Sequence, residues 1–222
     1  MGKVIIKRAL ALLFIPGAAV TAAAVCWRLA RFTGQTSLPK TPVWLMAGIL
    51  LSAAFYLAAG GAASVRKWAA FCLPLTLGFI ALAWVLLAGK LAYNGFYVPG
   101  NWVRNPYISA CGGVTLLAVI PAMGYRKPIK AFLFLLLTVA GLGAAVWSLS
   151  SLTLGAGFAA YVDYPFYHAL RVAKGGEMIG RMESFLVPVA LCVTVLIAAA
   201  CMTVIEWGIR AYGKVKIDKQ AN

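Results

Sequence analysis

An all-α integral membrane protein of about six transmembrane helices is the fold class that this sequence predicts, on three observations. Of the 222 residues 63% are hydrophobic and 11% charged, with a mean hydropathy of +0.90, whereas soluble domains carry about 25% charged residues. The apolar residues gather into six runs, each near the roughly 20 residues that an α-helix needs to cross the hydrocarbon of a bilayer. The 20 Lys and Arg outweigh the 5 Asp and Glu for a net charge of +15. They fall in short clusters between the apolar runs and form no basic face. That is the pattern of membrane-protein loops and not of a nucleic-acid-binding surface, so no nucleic-acid partner is expected.

The runs cover residues 9–29, 42–64, 68–89, 107–124, 131–154 and 184–207 of a single membrane domain, 1–222. The first follows Lys3, Lys7 and Arg8 in the order of a signal peptide. It is longer than a typical signal h-region and more spans follow, so it is expected to be a transmembrane helix. None of the runs alternates apolar and polar residues, which argues against barrel strands. Two tight basic turns are expected, one at Arg66-Lys67 and one at Arg126-Lys127-Pro128. Residues 30–41 and 90–106 are longer connections with Pro, Gly and Asn. The longest polar stretch, 155–183, is expected to hold a short helix over Pro165–Ala173, opened by a proline with Asp163 near the positive end.

Orientation follows from the basic residues. Lys3, Lys7, Arg8, Arg66, Lys67, Arg126, Lys127, Lys130, Arg210, Lys214, Lys216 and Lys219 fall on one side. The eight others, Arg28, Arg31, Lys40, Lys90, Arg104, Arg171, Lys174 and Arg181, fall on the opposite side. The excess of twelve over eight places both termini in the cytoplasm.

Little in the sequence points to bond-making chemistry. His168 is the single histidine, so a histidine metal cluster cannot form within the chain; it is expected to be an ordinary surface residue, or else a pH-sensitive group on the external face. The five acids, Asp163, Glu177, Glu183, Glu206 and Asp218, lie outside the middle of any span, where a carboxylate would suggest a proton relay. Cys26, Cys72, Cys111, Cys192 and Cys201 lie in apolar stretches without a CxxC spacing, as small hydrophobes do. No catalytic residue, metal or cofactor is assigned, and the chain is not expected to be an enzyme. The most informative local feature is Cys111-Gly112-Gly113 in the short fourth span, which also holds Pro121. Adjacent glycines weaken a helix by about 1 kcal/mol each relative to alanine. They suit either an interrupted transporter helix that lines a substrate site or close helix packing. Arg181 and Glu183 suit a helix start at the membrane interface, or a gate or docking site.

Four segments, in order, carry a resemblance to a known family. SLPKTPVWLMAGILL is similar to an "LLPxTPxW" helix entry, and GGAASVRKWAAFCLPLTL to a small polar–Arg turn before a proline-containing helix. YISACGGVTLLAVIPAMGYRKPIKAF is similar to a glycine-paired helix with a basic turn after it. VDYPFYHALRVAKGGEMIGRMESFLVP matches the most specific pattern, "YPxxxxxRxxxxGxxxxRxE", through Tyr164, Pro165, Arg171, Gly176, Arg181 and Glu183. The chain resembles the B subunit of spore-germination nutrient receptors, within the amino acid–polyamine–organocation permease superfamily. The likeness runs from about Leu12 to Thr203 and covers helices three to eight of ten, without the first two and last two helices.

The resemblance implies part of an amino-acid-permease-like inverted-repeat fold in the cell membrane or inner spore membrane. It implies contact with membrane lipid and with other germination receptor subunits, and a small nutrient ligand such as an amino acid. Gly112, Gly113 and Thr115 are then the substrate-binding positions, Thr115 standing where the family often has an acid. Arg171, Arg181 and Glu183 are the interface or gate positions. The alternatives are a small-solute transporter fragment and a non-functional or accessory membrane protein.

Overall fold

The computed structural model describes residues 2–87, 128–155, 159, 162, 164–172 and 182–220. Among them it is all-helical: α1 Gly2–Thr36, α2 Val43–Ala59, α3 Gly61–Leu87, α4 Pro128–Leu154, α5 Pro165–Val172 and α6 Met182–Gln220. Among the described residues two segments are long and apolar enough to span a bilayer, Gly61–Leu87 and Ser184–Arg210. Helix α2 has 17 residues, about 25 Å at 1.5 Å per residue, slightly less than the hydrocarbon thickness of about 30 Å. The expected fourth span, 107–124, lies outside the described residues.

Three boundaries differ from the sequence expectation: α1 runs from Gly2 through Thr36, past its expected span of 9–29, α6 runs on to Gln220 beyond 207, and the break after the second run is displaced. The run 42–64 was expected to end at a turn at Arg66-Lys67; the chain instead breaks at Gly60-Gly61, and Arg66 and Lys67 lie inside α3. Gly61 has φ +74°, a conformation that costs glycine little and other residues a steric clash. The break therefore sits where the backbone can make it, and the basic pair is carried on the exposed surface of the next helix. Two helices begin close to where they were expected. Pro128 opens α4 and Pro165 opens α5, each at a position where the missing proline N–H costs nothing.

The chain divides into two compact units, with boundaries inside α3, α4 and α6. The first holds α1, α2, the starts of α3 and α4, and α6 from Thr194 onward. Small side chains are prominent in its interior, beside Leu29, Phe32 and Leu50. On α1, Ala18, Ala22, Cys26 and Ala30 recur every four residues and are all essentially inaccessible. Ala47, Leu50, Ala54 and Ala58 line the buried face of α2, and Ala198, Ala199, Cys201 and Val204 that of α6. Small residues at such spacing let helix backbones approach closely, the device by which helices associate in lipid. Phe14 and Trp207 close one end with ring centroids 6.5 Å apart.

The second unit holds the rest of α3 from Ala70, α4 from Leu133, α5, and α6 up to Val193. Phe79, Ala83 and Leu87 of α3, Leu149 of α4 and Leu170 of α5 form its core. Ser150 and Ser151 are buried in it, and their hydroxyls donate to the Val146 and Trp147 carbonyls at 2.7 and 2.9 Å. Thr76, Thr153, Thr21 and Thr203 likewise donate to carbonyls three or four residues back in their own helices. These hydroxyls are thus satisfied within their own helices without water.

Large apolar side chains also point outward. Trp44, Ile49, Phe55 and Tyr56 of α2, Phe71 and Val85 of α3, Leu137 of α4 and Phe185 of α6 are exposed, Val85 by 72% and Phe55 by 67%. Single exposed apolar residues are ordinary on soluble proteins, but rows of them along apolar helices are suited to contact with another apolar surface, of protein or of lipid.

Candidate functional site

Two of the six sequence-predicted site residues, Arg171 and Glu183, are among the described residues. Gly112, Gly113, Thr115 and Arg181 lie outside them. Glu183 is in the first turn of α6. Arg171 is exposed on the last turn of α5, where a cation is favoured by the partial negative charge of a helix C-terminus.

What positions Arg171 is the packing of α5. The helix is only eight residues long, too short to hold itself in water. Its first i→i−4 bond runs from the His168 N–H to the Tyr164 carbonyl, at 3.2 Å. Phe166, Ala169 and Leu170 occupy one face at helical spacing. Ala169 and Leu170 are buried, and Phe166 meets Phe79 of α3 edge-on with ring centroids 6.3 Å apart, a favoured geometry for aromatic pairs. His168 is half-buried on the next face, its ring edge-on to Tyr167 at 5.6 Å. The Tyr-Pro signature therefore starts a helix whose apolar face docks on the unit core and whose arginine faces outward.

The same unit carries an open groove of about 390 Å³, which sequence reasoning missed. Pro74, Leu75, Gly78, Phe79 and Leu82 of α3 and Phe185 and Val189 of α6 line it. Pro74 and Gly78 are one turn apart and leave a notch in α3; a side chain at Gly78 would meet nothing within 4 Å. That spacing was the available sequence signal. With no charged or polar side chain in its lining, the groove suits an aliphatic chain and offers nothing to orient a zwitterionic nutrient. Among the described residues no three His, Cys, Asp or Glu side chains are placed to hold a metal ion.

Comparison with known proteins found no matching family model, no similar curated protein and no similar solved structure.

Proposed function

We propose that this chain is an integral membrane protein with both termini in the cytoplasm, and that it acts as a permease-like subunit of a spore-germination nutrient receptor. The observation that carries the reading is the segment from Tyr164 to Glu183, in which six residue types keep the family's spacing. It is supported by the way that segment begins, with Pro165 opening a docked helix that presents Arg171 outward. The exposed apolar side chains of α2, α3, α4 and α6 support the membrane location.

In this reading the inverted-repeat fold holds a broken helix at Gly112-Gly113. Backbone groups released there, with Thr115 beside them, hydrogen-bond a small amino-acid-like nutrient. Arg171, Arg181 and Glu183 form contacts with partner subunits or a gate on the external side. The ligand acts by binding one conformation better than another, with no covalent step.

Deleting the gene in a spore-forming host tests the reading. A selective loss of germination by one class of small nutrient is expected, restored by a plasmid copy. An unchanged response to every nutrient would favour an accessory membrane protein. Loss of nutrient uptake by growing cells, with normal germination, would favour a small-solute transporter.

A further inference from the structure

We propose that Cys72 and Cys192 form a thiol–disulfide modification site that staples α3 to α6 within the second unit. The two residues are 120 apart in sequence but adjacent in space. The Cys72 thiol, itself buried, donates to the main-chain carbonyl of Cys192 at 3.8 Å. Cys192 is half-buried and so within reach of small reagents. One turn from each cysteine, Leu75 and Val189 line the open apolar groove, which gives a lipid-soluble oxidant a path to the pair. A thiol held against the backbone that carries a second thiol needs little movement to reach disulfide geometry.

The oxidant is a small apolar two-electron acceptor, for which molecular iodine is the probe. One thiol attacks iodine: an S–I bond forms, the I–I bond breaks, and the S–H proton leaves with iodide. The second sulfur then attacks the first: the S–S bond forms, the S–I bond breaks, and a second proton and iodide depart. Two thiols are oxidised and one iodine molecule is reduced to two iodides. Dithiothreitol reverses the link by thiol–disulfide exchange.

The test uses membranes carrying the full chain with Cys26→Ser, Cys111→Ser and Cys201→Ser, so that only the pair remains. Before oxidation both thiols should react with a maleimide in denaturing detergent. After iodine neither should react, the chain should stay monomeric on a non-reducing gel, and dithiothreitol should restore both. Peptide mapping of the wild-type chain should find the Cys72 and Cys192 peptides joined, with the loss of two hydrogens, and this reading holds even if the variant accumulates poorly. Two thiols still reactive after iodine would overturn the proposal. So would protection that appears only with a disulfide-linked dimer, or a wild-type map in which Cys72 and Cys192 are joined only to other cysteines.

Discussion

Replacing Gly113 with leucine is expected to abolish the response to low concentrations of nutrient while leaving the amount of protein in the spore membrane unchanged. In the proposed receptor the absent side chain leaves room for a ligand or a partner backbone, and its absence lets backbone groups leave the helical ladder. Leucine opposes both, since it fills that space and restores helix propensity. Overpacking a close contact costs about 1–3 kcal/mol, which corresponds to roughly 5- to 150-fold in apparent affinity. Germination rate against nutrient concentration, with immunoblots of spore membranes, measures it. A parallel shift of the curve to higher concentration is the expected form. An unchanged curve would remove Gly113 from the ligand site.

The second large effect is structural. Leu170→Ala should release α5 from its unit. Leu170 is 4% exposed and packs among Phe79, Ala83, Leu87 and Leu149. Truncating such a residue costs about 2–5 kcal/mol, and an eight-residue helix has no reserve of its own. Hydrogen exchange of the 165–172 amides in detergent or nanodiscs should accelerate by about thirtyfold or more, since 2 kcal/mol alone supplies that factor. Arg171→Ala, at an exposed position one residue away, should change exchange little. Equal effects of the two substitutions would mean that Leu170 does not anchor the helix.

These residues also show what was legible beforehand. Helix α5 was readable because its start is chemical, a proline preceded by Asp163 and Tyr164. Helices α4 and α6 were readable from the length of their apolar runs. The break between α2 and α3 lies at Gly60-Gly61, several residues before the Arg66-Lys67 pair that marks a turn in the sequence. Basic residues report which side of a membrane a segment faces, whereas the backbone turns where glycine permits it, at Gly61.

Helix rotation was harder to read. Spans that are apolar on nearly every side give no moment that separates a lipid face from a packed face. The alanine and cysteine positions of α1, spaced by four, were the signal for its seam. Pairs such as Cys72 with Cys192 and Phe79 with Phe166 depend on that rotation, so they became visible only in three dimensions. Gly112 and Gly113 stand out in the sequence as paired glycines that suit an interrupted helix or close packing, whereas Thr115 as a ligand position is legible only through resemblance.

The central claim is that this chain crosses a membrane with both ends in the cytoplasm, and one measurement bears on it most directly. Arg171→Cys and Lys214→Cys, each in a background with the five native cysteines replaced by serine, are treated with a membrane-impermeant maleimide on intact cells and again after lysis. The account predicts labelling at position 171 on intact cells and at position 214 only after lysis, because an odd number of spans separates them. Labelling of both on intact cells, or of neither until lysis, would contradict it.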